Sequence, residues 1–269
     1  MSGPTVILGA ARTPIGSFLG GLASLRAPEL GAIAIRCAVE RSGISPEVIE
    51  EVFMGSVIQA GVGQAPARQA SLGAGLARSI PCTTINKVCG SGLKAVMLAS
   101  SQIAAGEYGV IVAGGMESMS NAPYLLRGLR RGLPLGEHGM EDANLTDGLV
   151  DAYGGGHMGL GGEKAAAKAG LTREDQDRFA FHSYEKALAA QAAGAFDAEI
   201  VGVEVKDRKG RVTSVEKDET PRETSLEALA GLRPASGRRR RGRHRSGPAS
   251  PGASPARRST RSAAPASRP

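Results

Sequence analysis

Through its first 115 residues, the chain alternates short runs of β-branched and other apolar residues with longer segments whose apolar side chains recur at helical spacing. The short runs predict strands, at residues 5–11, 51–59, 82–88 and 109–113. The longer segments predict helices, at residues 28–42, 65–73 and 90–105. Alternation of this kind is typical of a mostly parallel sheet covered by helices on both faces. The sequence therefore predicts the α/β fold class.

Residues 119–160 differ in composition and periodicity from the alternating segments before them. They are rich in Gly, Met and charged residues and show no clean period, which indicates a long excursion over the sheet. Thr172 and Asp175 have the spacing of an N-terminal capping pair, and they predict a helix that runs to residue 193. Residues 200–206 and 211–215 predict a β-hairpin.

The end of the chain differs in composition from everything before it. Residues 233–269 contain 11 Arg and no Lys, Asp or Glu, so the remaining 22 basic and 26 acidic residues give residues 1–232 a net charge of −4. The tail holds no Val, Ile, Leu, Met or aromatic residue. It cannot bury enough apolar surface to offset the entropy of ordering, which predicts disorder. We divide the chain into a core of residues 1–118, a second unit of residues 119–232 and this tail.

Hydropathy and cysteine content do not favour a membrane-spanning or secreted protein. No apolar run approaches the roughly 18 residues that a membrane-spanning helix needs. The N-terminus lacks the basic stretch and long apolar core of a secretory signal. Three widely spaced Cys argue against a disulfide framework. We therefore expect a cytoplasmic protein without a membrane partner.

The segment INKVCGSGLKAV, residues 85–96, is the most informative stretch for chemistry. It predicts that Cys89 lies on a tight turn between a strand and a helix, where two glycines allow close approach to the backbone. Free N–H groups and the positive end of a helix favour a thiolate and can hold an oxyanion, as covalent acyl transfer requires. Spacing alone leaves open that Cys89 is a small buried residue, which is our interpretation of Cys37 and Cys82.

Five segments, in order along the chain, resemble motifs of one enzyme family. They are AARTPIGSF (10–18), GQAPARQA (63–70), INKVCGSGLKAV (85–96), GGMESMSNAP (114–123) and DGLVDAYGGGHMG (147–159). These segments are similar to successive motifs of the thiolases, which join or split acyl groups on coenzyme A. The resemblance runs to LRPA at residues 232–235, and it is greatest to the biosynthetic, acetoacetyl-CoA-forming type. It implies a thiolase-like layered fold and acetyl transfer between coenzyme A thioesters.

The resemblance also implies roles for five residues. Cys89 matches the cysteine that becomes acetylated, and its own N–H would contribute to the oxyanion hole. His157 and Met158 match a His-Met pair in the lid over the pantetheine arm of the coenzyme, and Leu149 matches a lid position before them. Arg222 matches a lid arginine beside the adenine end, where a planar guanidinium can stack on the base or pair with phosphate. Coenzyme A and acetyl-CoA are implied as substrates, with no permanently bound cofactor.

Other polar residues carry no comparable match to the motifs. Glu117, within GGMESMS, is interpreted as structural rather than catalytic. His138 has no motif support, and His182 is expected to be solvated on its helix. Asp175 and Asp177 are interpreted as charges at a helix start rather than an acid–base pair. The Cys and His residues show no ligand spacing, so the sequence predicts no metal site.

The thiolase fold, as the resemblance implies, is a duplication in which two similar halves pack into five layers around one active site. The second half supplies an Asn-Glu-Ala-Phe segment, a Gly-His-Pro histidine that activates the nucleophile, and a second cysteine followed by a Gly run. None of these strings occurs in this sequence. We therefore expect that this C-terminal half is missing and that the chain alone is inactive in carbon–carbon bond formation. We also expect the apolar face of the helix after Cys89 to be exposed.

The basic tail leaves more than one interpretation open. Its residues have GC-rich codons, which indicates a gene read out of frame after about residue 235. Alternatively, the chain is a non-catalytic relic or an interaction protein whose Arg-rich tail binds nucleic acid, although the tail has no aromatic residue to stack on bases. A condensing enzyme of the ketoacyl synthase type would share the fold and nucleophile, but the His157–Met158 region resembles thiolases. The family interpretation predicts a homo-oligomer, a dimer or tetramer, with no nucleic acid partner.

Overall fold

The computed structural model describes residues 4–206 and 209–235. The helices are α1 (Ala27–Ser42), α2 (Pro66–Gly73), α3 (Ser91–Ala105), α4 (Met158–Lys168), α5 (Arg173–Ala192) and α6 (Leu226–Ala230). The strands are β1 (Glu51–Gly55), β2 (Cys82–Ile85), β3 (Ile111–Gly115), β4 (Tyr124–Leu125), β5 (Glu141–Asp142), β6 (Val203–Lys206) and β7 (Val212–Val215). The prediction of a disordered tail falls, after Ala235, outside the described residues.

The central sheet has three parallel strands in the order β2–β1–β3. Val52 of β1 lies opposite Cys82 on one side and opposite Val112 on the other. Parallel neighbours need crossover connections, and α2 and α3 supply them. The predicted α/β fold class is therefore confirmed.

Alternate side chains of β1 enter two separate hydrophobic cores. Val52 and Met54 belong to the core on the side of α1 and α2. Phe53 points to the opposite face and packs with Ala95 and Ala99 of α3. The strand is thus buried on both faces.

Local sequence signals set the ends of two helices as predicted. α1 ends at Gly43, whose φ of 68° lies in the left-handed region that glycine adopts without a side-chain penalty. α5 begins with a capping box, in which the side chains of Thr172 and Asp175 each accept a hydrogen bond from the other residue's backbone N–H.

The predicted strand at residues 5–11 is wrong. No part of this segment joins a strand, and Ile7 is 80% exposed. The segment is held near its end instead, because the guanidinium of Arg41 donates a hydrogen bond to the carbonyl oxygen of Ala10. A strand needs a hydrogen-bonded neighbour, and no described segment pairs with the edge of β3 that faces away from β1. The β-branched composition reflects local propensity alone.

The other strands of the core differ from expectation only in their ends. β1 stops at Gly55 rather than at residue 59, and β2 stops at Ile85 rather than at residue 88. Their last predicted residues leave the sheet and form the loops described below. β3 instead continues to Gly115, because its register with β1 extends that far.

The second unit contains the expected excursion and hairpin together with two helices that were not predicted. The excursion includes the short pair β4 and β5 and a π-helical turn at Asn144–Leu149. The hairpin is formed by β6 and β7. The sequence of α4, MGLGGEKAAAK, contains three glycines that weaken its helical signal, and α6 has only five residues.

Arg12 connects the core to the second unit. Its guanidinium makes two hydrogen bonds to the carboxylate of Asp218, of 2.7 and 3.0 Å, and its Nε donates to Glu199 at 2.7 Å. Hydrogen bonding to Asp218 raises the pKa of Arg12, and the same contact lowers the pKa of Asp218.

α3 leaves one apolar face uncovered by the described residues. Leu93 and Met97 on this face are 69% and 50% exposed, while Ala95 and Ala99 are buried against the sheet. The exposed face that the sequence predicted is therefore present.

Candidate functional site

The carboxyl ends of β1, β2 and β3 meet at one edge of the sheet, and the residues of chemical interest follow them. Val57 and Ile58 follow β1, Cys89 follows β2, and Glu117 follows β3. In open α/β sheets this edge is where ligands bind, because loops from neighbouring strands converge there. The position favours a functional site.

The N-terminus of α3 rests directly on the ends of β1 and β3. A Cβ atom at Gly55 would lie 2.6 Å from the carbonyl carbon of Ser91 and 2.7 Å from the nitrogen of Gly92. A Cβ atom at Gly115 would lie 3.1 Å from the Cα atom of Gly92. Glycine at these positions therefore lets the helix start, and with it Cys89, come close to the sheet edge.

Cys89 is exposed and lies in the turn between β2 and α3. Val88, immediately before it, has a φ of 48°, which a β-branched residue rarely adopts and which costs about 1–3 kcal/mol. The hydroxyl of Ser91 braces the turn, since it accepts a hydrogen bond from the N–H of Lys87 and donates one to the carbonyl oxygen of Val88. The predicted strand–turn–helix arrangement around the cysteine is present.

Fewer backbone N–H groups are open at this turn than the sequence suggested. The two N–H groups after Cys89 close the turn by donating to the carbonyl oxygens of Lys87 and Val88. Within the part of the chain that the structure describes, the N–H groups of Cys89, Gly92 and Leu93 have no acceptor. These three donors are the ones available to an oxyanion.

A second set of hydrogen bonds joins the turn to the loop after β1. The Asn86 side chain accepts the N–H of Val88 at 2.9 Å and donates to the carbonyl oxygen of Val57 at 3.3 Å. The N–H groups of Val57 and Ile58 donate in turn to the carboxylate of Glu117, at 2.8 and 3.3 Å. All three strand ends are thereby connected through side chains.

Asn86 was not among the predicted site residues. An Asn that bonds the N–H two residues ahead forms an Asx turn, and its position just before the motif cysteine is a signal that the sequence did contain. Its contact with Val57, 29 positions earlier, could not be inferred without the fold.

The Glu117 carboxyl is partly buried and bonded to backbone. Burial raises the pKa of Glu117, and this effect outweighs the lowering by the N–H groups of Val57 and Ile58. Its hydrogen bonds fix two loops relative to each other, which agrees with the structural interpretation of this residue.

Leu149, His157 and Met158 lie together in the second unit. Leu149 ends the π-helical turn, and the next residue, Val150, pairs with His157. The Nδ1 atom of His157 accepts the N–H of Gly159 at 3.0 Å, so this side chain caps α4. Met158 begins the helix and is 51% exposed.

The segment that contains Leu149 lies next to the loop after β1, which Glu117 holds. A Cβ atom at Gly148 would lie 3.6 Å from the Cδ1 atom of Ile58. Among the described residues, no hydrogen bond or ion pair joins Leu149 or His157 to Cys89 itself. Gly148, next to Leu149, is therefore close to the loop after β1 rather than to Cys89.

Arg222 lies apart from the other predicted lid residues. Its side chain is exposed, and the guanidinium carbon is 5.9 Å from the ring centroid of Tyr184 in α5. This is the distance of a cation–π contact. The structure thus places Arg222 against an aromatic ring, with no hydrogen bond to Leu149 or His157.

A cavity of about 420 Å³ lies beside the site. Its walls come from the loop that precedes α1, from α1 itself and from the loop after β3, at residues 11–18, 22–23, 30–31, 34 and 115–120. Glu117 lines this cavity, whereas Cys89 and the four predicted lid residues do not. The thiol of Cys89 opens to solvent instead.

The remaining titratable groups do not form a second centre. In the ranges 4–206 and 209–235, no three His, Cys, Asp or Glu side chains are grouped so that they could hold a metal ion. In those ranges, too, no helix has the length and apolarity needed to cross a membrane. His182 pairs with Glu185 at 2.9 Å on an exposed helix face, and Asp177 pairs with Arg173 at the start of α5.

Comparisons with known proteins agree with the order of the motifs. A family described as thiolase, N-terminal domain, matches residues 5–251. This match continues past Ala235, where the resemblance was expected to end, into residues that the structure does not describe.

Three similar proteins have names that point to one reaction. An acetyl-CoA acetyltransferase of Cupriavidus necator is 52% identical over 231 residues, 86% of this chain and 59% of that protein. A cytosolic acetyl-CoA acetyltransferase of Gibberella zeae is 48% identical over 233 residues, with the same two shares. A mitochondrial one of Bos taurus is 49% identical over 228 residues, 85% of this chain and 54% of that protein. The chain thus spans little more than half the length of these relatives.

Proposed function

Since this chain belongs to the thiolase family, we propose that it carries the nucleophile of an acetyl-CoA C-acetyltransferase, in which Cys89 accepts an acetyl group from a coenzyme A thioester. The observation that carries the proposal is the setting of Cys89. An exposed thiol stands at the start of α3, at the carboxyl edge of a parallel sheet, beside N–H groups without acceptors. The names of relatives at about 50% identity support the choice of acyl group.

The first half-reaction is acyl transfer to sulfur. The Cys89 thiolate attacks the carbonyl carbon of acetyl-CoA, and as the carbon–sulfur bond forms, the carbonyl electron pair moves onto oxygen. The open N–H of Cys89 is a donor for that oxygen. The carbonyl then re-forms, the bond to the sulfur of coenzyme A breaks, and coenzyme A leaves as a thiolate that takes up a proton. The product is a thioester on Cys89.

The second half-reaction forms the carbon–carbon bond. A base removes a proton from the methyl group of a second acetyl-CoA, and the resulting carbanion displaces Cys89 from the thioester to give acetoacetyl-CoA. In the family, this base and the histidine that activates the nucleophile belong to segments whose strings do not occur in residues 1–269. We propose that the chain by itself takes an acetyl group slowly but does not complete condensation or its reverse.

Coenzyme A is assigned to the lid residues. Leu149, His157 and Met158 would contact the pantetheine arm, and their proximity to one another supports a shared ligand. Arg222 would meet the adenine end, for which a guanidinium that already packs on an aromatic ring is suited. Neither half-reaction calls for a metal ion or a permanently bound cofactor.

The proposal also covers the cellular compartment, the metabolic role and the oligomeric state of the protein. We place it in the cytoplasm, within acetoacetyl-CoA and fatty acid metabolism, as a homo-oligomer without a nucleic acid or membrane partner. One relative carries a cytosolic name and another a mitochondrial one, so the compartment is to be tested by fractionation of cells that express the chain.

The test is to treat the 269-residue chain with acetyl-CoA and to locate the added acetyl group by peptide mass spectrometry. We expect an acetyl group on Cys89 and none on Cys37 or Cys82. The variant Cys89→Ser should take up no thioester-linked acetyl, whereas the control Cys37→Ser should behave as the parent chain. Equal labelling of Cys37 and Cys89, or no labelling, would overturn the proposal.

A further inference from the structure

We propose that Asn86 is a positioning residue for Cys89, because its side chain fixes the left-handed backbone of Val88 through a hydrogen-bonded link that Glu117 anchors. The inference rests on the proposed function of Cys89, since it concerns how that thiol is aimed. Neither Asn86 nor Glu117 is placed in contact with the substrate. Both act through the backbone that precedes the nucleophile.

The link has three steps, each of which joins a different strand end. Glu117, after β3, accepts the N–H of Val57 at 2.8 Å. The carbonyl oxygen of Val57, after β1, accepts from the Asn86 amide at 3.3 Å. The Asn86 oxygen, after β2, accepts the N–H of Val88 at 2.9 Å. The turn is thereby tied to both neighbouring strands of the sheet.

Val88 is the residue of the turn whose backbone conformation these hydrogen bonds hold in place. Its φ of 48° is unfavourable for a side chain that branches at Cβ. Without a constraint, the residue would relax toward the extended region, and rotation about Val88 would redirect both the N–H and the Sγ atom of Cys89. The Ser91 hydroxyl holds the carbonyl side of Val88, and Asn86 holds its N–H side. The two contacts together define the backbone on both sides of one residue.

A positioning role has a signature that a purely structural role lacks. Acetyl transfer from acetyl-CoA requires that the Cys89 N–H and Sγ face one carbonyl group together, so it depends on the angle set at Val88. Alkylation by iodoacetamide needs only an accessible sulfur. Loss of the link should therefore slow acetylation much more than alkylation.

The experiment compares the full-length parent chain with Asn86→Ala. We expect acetylation of Cys89 by acetyl-CoA to fall by about tenfold or more, while alkylation by iodoacetamide changes by less than about twofold. The matched control is Asn121→Ala, because the Asn121 amide also bridges loops, bonding the carbonyl oxygens of Ala23 and Leu25, but it has no contact with the turn. Equal acetylation by the parent and Asn86→Ala chains would overturn the inference.

Two further variants keep the test decisive if Asn86→Ala loses stability. Val88→Gly makes the left-handed backbone free of strain, so adding Asn86→Ala to it should slow acetylation less than in the parent chain. Equal effects in the two backgrounds would contradict the inference. Glu117→Gln keeps an acceptor for the N–H of Val57 and should retain the acetylation rate of the parent chain, whereas Glu117→Ala should lower that rate.

A separate readout distinguishes failure of this inference from failure of the proposed function. If the parent chain takes no acetyl group, the function assigned to Cys89 is wrong. Amide hydrogen exchange at Val88 then decides the link, because the Asn86 side chain covers that N–H. We expect exchange at Val88 to accelerate by about tenfold or more in Asn86→Ala and to stay unchanged in Asn121→Ala. Unchanged exchange in Asn86→Ala would overturn the inference.

Discussion

Arg12 and Asp218, which are 206 positions apart in the sequence, form an ion pair with two hydrogen bonds, and the carboxylate is only 9% exposed. Asp218 also accepts the backbone N–H of Ile15, at 2.7 Å. One carboxylate therefore organises the loop before α1 and fastens it to the segment after the hairpin.

The variant Asp218→Asn tests the stabilising role of this pair. The substitution removes the negative charge and one of the two oxygens that accept from Arg12, so we expect the free energy of unfolding to fall by about 1–3 kcal/mol, measured by urea denaturation. The control Glu204→Gln, at an exposed position of β6, should have little effect. A result in which both variants behave alike would show that the pair does not stabilise the fold.

The same pair predicts a pH dependence. Its contact with Arg12 lowers the pKa of Asp218 below the ordinary 3.8. The stabilisation is therefore present above 3.8 and is lost as the pH falls through the lower value of the folded state. The difference in unfolding free energy between the parent chain and Asp218→Asn should shrink on acidification below about pH 4, as followed by denaturant titrations at several pH values.

For Glu117 we predict a pH dependence of stability with the opposite sign to that of Asp218. Burial raises its pKa above the ordinary 4.5, so its contribution to stability is complete below 4.5 and is lost as the pH rises through the folded value. Glu117→Gln does not titrate but keeps an acceptor. The stability of the parent chain relative to this variant should therefore decline as the pH rises above 4.5, the ordinary pKa of a glutamate. A pH-independent difference would contradict the assignment.

The close packing of the start of α3 on the sheet predicts that alanine substitutions at two glycines, Gly55 and Gly161, have opposite effects on stability. Gly55→Ala forces a Cβ atom into the backbone of Ser91 and Gly92, so we expect a loss of about 1–3 kcal/mol or more and slower acetylation of Cys89. Gly161→Ala, within α4 and with no atom from outside its own stretch of helix backbone within 4 Å of its Cβ position, should instead stabilise the helix by up to about 1 kcal/mol. Thermal unfolding of both variants provides the comparison.

His157 has two roles that substitutions can separate. Asn at this position can still cap α4, whereas Ala cannot, so His157→Ala should lower stability by about 0.5–2 kcal/mol and His157→Asn should not. If the ring also contacts the pantetheine arm, both variants should bind coenzyme A more weakly in calorimetry. Binding by His157→Asn at parental strength would exclude that contact.

The order α1, β1, α2, β2, α3, β3 and the later helix α5 could be predicted from the sequence because each element depends on a short-range signal. The short apolar run at residues 51–59 predicted β1, and Thr172 with Asp175 marked the start of α5. The turn at Cys89 was predictable for the same reason, since glycines and a helical period follow it directly.

Contacts between residues that are distant in the sequence could not be predicted from such short-range signals. Residues 5–11 have the composition of a strand, but whether a neighbour pairs with them is decided elsewhere in the fold. The role of Asn86 depends on Val57, which the parallel register of β1 and β2 brings near. α4 was not predicted because its three glycines weaken the helical pattern of the sequence, although His157 caps the helix in the structure.

The unpaired segment at residues 5–11 has a practical consequence for anyone who purifies the protein. A run of Thr, Val, Ile and Leu with open backbone groups is a template onto which another molecule can add a strand. Such growth is at least second order in protein, so it accelerates steeply in concentrated stocks. Dilute storage, or a lysine gatekeeper in place of Ile7, will decide how long a preparation remains monodisperse.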